Sequence, residues 1–146
     1  MSSRWDPWAE LADRDHIILG FDPCARVGGG AVYARRGAFA AIVIDPALDR
    51  RERRAALAHE LVHDERGGGC DHTDMGAQWR AVVARDEARV DQIAATRLVP
   101  LDELRSFLRA RGSVGPVTLA DIAEEFDVPI RVAATAMRAL QHKSQR

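Results

Sequence analysis

The chain has 146 residues, a formal net charge of -1 and only two cysteines. That length suits one domain with its own core and a small appended unit. The near-neutral charge gives no electrostatic reason to expect a nucleic-acid or membrane partner. No apolar run has the length of a membrane span, the start lacks a signal-peptide core, and Cys24 and Cys70 are too few for a disulfide framework. We therefore expect a cytoplasmic protein with no membrane partner.

The first third of the chain predicts a short helix followed by a small sheet. Asp6 before Pro7 is a helix-start signal, which predicts a helix over residues 7 to about 13. Short apolar segments bounded by Gly, Pro or Asp then indicate three strands, at residues 16–21, 31–34 and 39–44. We expect a three-stranded, mostly antiparallel sheet. Cys24 follows a proline in a turn and is predicted to be a small buried residue.

The rest of the chain predicts helices. Asp49, with Glu52 three residues on, caps a long helix that should end at the glycines 67–69. A second long helix should run from about Trp79 to Pro100, and a third from 101 to about 109. After a linker at 112–116, two helices joined by a tight turn have helix-turn-helix spacing. The predicted organisation is an α+β domain over residues 1–111 and a C-terminal helical pair over 117–146, packed on it or linked to it.

The segment His59-Glu60-Leu61-Val62-His63 is the strongest chemical signal in the sequence. Histidines at i and i+4 lie on one face of a helix and can share one metal ion. The intervening Glu60 is not needed as a ligand and lies where it can take a proton from a metal-bound water. The pattern is typical of a zinc peptidase, with Glu60 as catalytic base.

A second acidic pair, Glu87 and Asp91, lies one turn apart on the next predicted helix. Catalytic zinc usually takes three protein ligands, and Glu87 would be the third. Asp91 could accept the free ring N–H of a ligand histidine and so fix its tautomer. Glu87 also falls on an apolar stripe at helical spacing, where a carboxylate needs a partner. The alternative is that both acids belong to a solvated, charge-rich face.

With these motifs in view, the chain from about Phe39 to Leu140 resembles the ImmA/IrrE-type metallopeptidases. The similarity is carried by the strand 42–44, the helix entering the His59–His63 motif, the glutamate-bearing helix ending at Leu98-Val99-Pro100, and the closing helical pair. The sequence departs from the family pattern in two places: Ile93-Ala94 stands where a Phe-Ala pair is frequent, and Arg97 stands where a leucine is frequent. These changes affect packing and the cleft wall.

The resemblance implies a minimal zincin-like fold, a zinc ion (Zn2+) bound by His59, His63 and Glu87, and Glu60 as general base. It also implies a substrate class, a helix-turn-helix transcriptional repressor that the enzyme cleaves. Two alternatives stay open. One is a metal-binding antirepressor that sequesters its partner without cleavage. The other is a DNA-binding regulator, which four acidic residues on the first helix of the pair and its turn disfavour.

Several residues near the motif have no settled role in the sequence. Tyr33, His72 and backbone N–H groups are the candidates for stabilising an oxyanion. Cys70 and His72 follow the glycines and could reach the metal, although a loop thiol and a solvated histidine are the commoner outcome. His16 and His142 have no partner at ligand spacing, so strand-edge and tail positions are expected.

Overall fold

A computed structural model describes residues 4–67 and 77–144, and for residues 77–79 it describes the backbone only. Within these ranges the chain forms a small α+β fold, as predicted. Its elements follow the predicted order: α1 (Pro7–Ala12), β1 (Ile17–Phe21), a 3₁₀ helix (Pro23–Gly28), β2 (Ala31–Arg36), β3 (Phe39–Ile44), α2 (Arg50–Glu65), α3 (Ala77–Leu98), α4 (Leu101–Gly112), α5 (Leu119–Phe126) and α6 (Ile130–Ser144).

The sheet is mixed, with strand order β1-β3-β2. β2 and β3 form an antiparallel hairpin, whereas β1 runs parallel to β3. The expectation of a mostly antiparallel sheet is therefore wrong for the β1–β3 pair. The physical reason lies in the connections. A tight turn containing Gly37, at φ +62, makes the hairpin, while residues 22–30 carry the chain across so that β3 lies between β1 and β2.

Helix α2 is held between the sheet and the other helices. Asp49 caps it by accepting a hydrogen bond from the backbone N–H of Glu52 at 2.9 Å. Its buried Leu57 and Leu61 pack with Ile42 and Ile44 of β3. Its other apolar residues join a second cluster with residues of α3, α5 and α6. Because α2 is packed on both sides, side chains on its remaining face are fixed in direction.

The C-terminal helical pair packs on this same second cluster, which includes Phe126, Val132 and Ala136. The turn between α5 and α6 is tied to α2 by arginines. Arg54 donates to the backbone carbonyls of Phe126 and Asp127 at 3.2 and 3.0 Å, and Arg50 and Arg51 pair with the Asp127 carboxylate. These contacts fix the start of α6 relative to α2.

Cys24 differs from its prediction because it is exposed. It lies at the start of the 3₁₀ helix, where Asp22 accepts its backbone N–H at 2.8 Å, so the turn is held by Asp22 and the thiol needs no burial. Among the helices in the described ranges, none combines the length and apolar composition needed to cross a membrane.

Candidate metal site

Helix α2 presents His59 and His63 on the same face, as their spacing requires. The Nε2 atoms of the two rings lie 3.0 Å apart, and the ring centroids are separated by 4.8 Å. His63 is buried, with a side chain 9% exposed, and His59 is 21% exposed. Two imidazole nitrogens that converge at this distance form half of a metal-binding set.

Glu87 completes the set from α3. Its Oε2 lies 3.2 Å from His59 Nε2 and its Oε1 lies 3.1 Å from His63 Nε2. In a tetrahedral zinc site with ligand bonds of about 2.0–2.1 Å, neighbouring ligand atoms are about 3.3 Å apart. The separations among the donors of His59, His63 and Glu87 are close to that value, and the donor types are those that zinc prefers. The three residues therefore fit a zinc ion.

The environment of Glu87 differs from the expected buried stripe. Its side chain is 42% exposed, although Val90 and Leu98 on the same helix are buried. The cost of burying an unpaired carboxylate is therefore smaller than the sequence suggested. What directs Glu87 is its pairing with the two histidines.

Asp91 contacts His59 on the side away from Glu87. The Nδ1–H of His59 donates to Asp91 Oδ1 at 2.8 Å, which leaves the Nε2 lone pair facing His63 and Glu87. Burial lowers the pKa of His59, but the hydrogen bond to Asp91 and the nearby carboxylates outweigh it, so that this pKa is raised overall. The same hydrogen bond lowers the pKa of Asp91. The Asp91 side chain is 56% exposed. It therefore makes the predicted contact with a ligand histidine and also lies on a solvated face, as the alternative interpretation expected.

The pKa of His63 moves the other way. Burial disfavours its charged form and lowers its pKa, and the nearby Glu87 carboxylate only partly opposes this effect. A neutral imidazole is the form that binds metal. The environment of His63 therefore favours the neutral, metal-binding form of its imidazole more than the environment of His59 does.

Glu60 is a buried carboxyl group, with 7% of the residue exposed. Burial raises its pKa from 4.5 to about 7, partly opposed by the charge of His59. No hydrogen bond to its carboxyl group occurs among the described residues. A carboxyl group with a pKa near neutrality and no fixed partner can both accept and return a proton at physiological pH.

A small cleft opens beside these residues; we call it the histidine cleft. It has a volume of about 230 Å³, and His59, Glu60, Glu87 and Asp91 line it. The sequence did not indicate its other charged walls, Glu52 of α2 and Arg131 of α6, or the backbone wall formed by Gly28 and Gly29. Arg131 donates to Glu52 Oε2 at 2.6 Å and is 58% exposed. Only the tertiary packing of α6 on α2 and α3 brings Arg131 to this position.

A second polar cluster surrounds Asp64, the residue after His63. Its buried carboxylate accepts hydrogen bonds from the Tyr33 hydroxyl at 2.8 Å, from Arg14 at 3.0 Å and from His16 at 2.9 Å. Burial alone would raise the pKa of Asp64, but these hydrogen bonds lower it overall. The cluster ties α2 to β2 and to the α1–β1 turn next to His63. Tyr33, a candidate for stabilising an oxyanion, donates its hydroxyl to Asp64.

Other predicted residues lie outside the described parts of the chain. Cys70 and His72 fall in the range 68–76, so their suggested contact with the metal stays a prediction. Trp5 and Trp8 pack on the core, whereas the side chain of Trp79 lies outside the described residues. His142 lies near the end of α6, in the tail position expected for it.

Comparison with known proteins gives no support for or against this site, so its assignment depends on its geometry alone. The chain matches no family model, and neither a curated protein nor a solved structure matches it. The similarity of its motifs to ImmA/IrrE-type metallopeptidases therefore stays a prediction from the residues that carry it.

Proposed function

We propose that the protein is a zinc-dependent endopeptidase with Glu60 as its general base. The observation that carries this proposal is the position of Glu60, a buried carboxyl group with a pKa of about 7 that lines the same cleft as His59 and Glu87. A purely structural metal site does not need a titratable acid in the adjoining cleft. A hydrolytic site does need one.

The donor set supports zinc as the metal. His59, His63 and Glu87 are the residues that would hold it, and three protein ligands leave a position for water or substrate, as catalytic zinc sites require. A bound zinc ion would supply a Lewis acid that acidifies water and polarises a carbonyl group. Asp91 would keep His59 in the tautomer that offers Nε2 to the metal.

The chain's own groups supply the proton transfers of peptide hydrolysis. Glu60 takes a proton on its carboxylate from the attacking water and returns it to the amine of the leaving peptide. In the metal-free protein, burial raises the pKa of this carboxyl group to about 7. Arg131 of the helical pair lines the same cleft, and its contact with Glu52 keeps it at the wall.

We further propose that the substrate is a regulatory protein, in keeping with the helix-turn-helix repressor that the family resemblance implies. The histidine cleft is small, and one of its walls is backbone at Gly28 and Gly29. A cleft of this size cannot enclose a long peptide of arbitrary sequence, so recognition must extend to the surface around it. That requirement favours one folded or partly folded partner over general proteolysis.

The geometry does not favour DNA binding by the helical pair. α6 would be the recognition helix of a helix-turn-helix unit. Its first-turn Arg131 pairs with Glu52 of α2, and the turn before it is held by Arg50, Arg51 and Arg54. The end of the helix that would enter a major groove is therefore occupied by contacts with α2.

The experiment is a cleavage assay on a helix-turn-helix repressor whose gene adjoins that of this chain. Wild type is compared with Glu60→Gln, which keeps the size of the side chain and removes the base. We expect cleavage to fall by roughly 10²–10⁴-fold while zinc stays bound. The matched control is Glu124→Gln, the same change at an exposed position of α5, which should cut at the wild-type rate.

Two results would oppose the proposal in different ways. Cleavage by Glu60→Gln at the wild-type rate would remove Glu60 as the base. Binding of the repressor without cleavage by wild type would replace the peptidase with the antirepressor, in which the same metal site supports capture only.

A further inference from the structure

A second cavity lies away from the histidine cleft, between α3, the start of α4 and the end of α6. Its volume is about 690 Å³, three times that of the histidine cleft. Arg89 of α3 and His142 and Lys143 of α6 line it, and the described lining residues include no acidic side chain. We call it the basic groove. Its charge contrasts with a chain whose formal net charge is -1.

The cations of the basic groove are not used within the described structure. Arg89, His142 and Lys143 make no ion pair or hydrogen bond with another described residue. Most arginines near α2, by contrast, are paired with carboxylates or backbone carbonyls. His142 and Lys143 lie in the last turn of α6, where positive charge also complements the helix dipole. Arg89 lies in the middle of α3 and has no such role, which makes it the most informative residue of the groove.

The groove has an apolar side as well. Ile93, Leu101 and Ala139 contribute to its lining, and the Gln92 amide lies beside them. α4 begins at Leu101, and its N-cap, Pro100, provides no side-chain hydrogen bond to the first-turn N–H groups. The first turn of α4 also carries Asp102 and Glu103, so the positive charge of the groove comes from Arg89 and Lys143. The lining of the groove is mixed, because Thr96 and Gln92 lie among the apolar residues. Its volume falls within the range of about 300–1,000 Å³ that is typical of small-molecule sites.

The ligand that fits these features carries negative charge at one end and a flat apolar group at the other. Inorganic phosphate alone would leave the apolar lining unused, and an uncharged heterocycle would leave the cations unused. A nucleic-acid strand would need a line of basic residues. Beyond His142 and Lys143 of the groove itself, α6 offers Arg131, which is paired with Glu52, and Arg138, which donates to Thr135. We propose that the basic groove binds a nucleoside phosphate.

A ligand in the basic groove would contact the same helix, α3, that carries Glu87 of the metal site. Arg89 and Gln92 lie on the same stretch of α3 as Glu87 and Asp91, and face the other side of the helix. A bound nucleoside phosphate bridges α3 and α6 and restricts the segment that presents Glu87. Binding in the groove is independent of the proposed peptidase activity and is measurable without a substrate.

The test is calorimetric titration of the full-length protein with ADP, pyrophosphate and adenosine. We expect ADP to bind with a micromolar dissociation constant and both fragments to bind at least tenfold more weakly. Arg89→Gln should weaken ADP binding by at least tenfold. Arg85→Gln, one turn earlier on α3, and Arg138→Gln on α6 are matched controls that remove the same charge outside the groove. All three arginines are exposed, so the variants should fold, which circular dichroism checks.

Each other outcome would overturn the inference. Absence of ADP binding below about 1 mM would show that the cations serve only the fold. Equal weakening by the two control variants would mean that ADP responds to overall charge and not to the groove. Binding of adenosine as tight as that of ADP would remove the role of the cations. Binding of an acidic peptide in place of ADP would make the groove a protein-docking site.

Discussion

Replacing Glu60 by glutamine should stabilise the metal-free protein, because the wild-type side chain is a buried acid without a hydrogen-bond partner among the described residues. Burial raises the pKa of Glu60 from 4.5 to about 7. Each tenfold change in an acid dissociation constant corresponds to about 1.4 kcal/mol. That rise therefore costs the folded state about 3 kcal/mol once the unfolded chain ionises freely. Glutamine does not ionise and avoids this cost.

The sign of the effect follows from which state holds the proton. Because the pKa of Glu60 is raised in the folded protein, its contribution to stability is fully present below pH 4.5, is lost as pH rises toward 7, and is constant above that. The variant should therefore exceed wild type in free energy of unfolding by less than about 1 kcal/mol at pH 5 and by about 3 kcal/mol at pH 8. A gain of this size corresponds to a melting temperature higher by about 10 °C for a chain of this length.

The assay is urea unfolding of both proteins in the presence of a chelator, from pH 5 to pH 8. Taking the difference between the two proteins cancels the titration of every other group. Glu124→Gln, the exposed control, should differ from wild type by a few tenths of a kcal/mol at most at every pH. Equal stability of wild type and Glu60→Gln at pH 8 would mean that Glu60 is solvated. The argument for Glu60 as a poised base would then fail.

Two further substitutions test the groups around the metal ligands. Asp91→Ala should weaken zinc affinity by about tenfold. This is the low end of the usual 10–100-fold range, because the Asp91 side chain is half exposed. If a competition titration with a chelating dye shows unchanged affinity, Asp91 is a surface acid only. Tyr33→Phe removes one of the three donors to the buried Asp64 carboxylate and should lower the free energy of unfolding by about 1–3 kcal/mol. Its zinc content should not change, and a loss of zinc would mean that the Asp64 cluster controls the position of His63.

The sequence predicted those parts of the fold that depend on local signals. Asp6 and Asp49 each cap the helix they were expected to begin, and the positions of all three strands agree with their apolar segments. The direction of β1 relative to β3 could not be predicted, because it depends on how residues 22–30 cross the sheet. The exposure of Cys24 was missed for a related reason, since turn geometry and not hydrophobicity decides it.

The candidate site divides in the same way. His59, Glu60 and His63 were predictable because their spacing alone places them on one turn of a helix. Glu87 was found from helical spacing, but its contact with both histidines depends on the packing of α3 against α2. Arg131 and the Tyr33–Asp64 hydrogen bond carried no sequence signal, because each joins residues far apart in the chain.

The central claim is that His59, His63 and Glu87 bind one zinc ion, and metal content tests it most directly. The protein is purified without chelator, dialysed against trace zinc and measured by elemental analysis, with His63→Ala and the exposed Glu124→Gln alongside. We predict one zinc per chain for wild type and for Glu124→Gln, and less than a tenth of that for His63→Ala. Zinc-free wild-type protein, or an equal zinc content in His63→Ala, would contradict the claim.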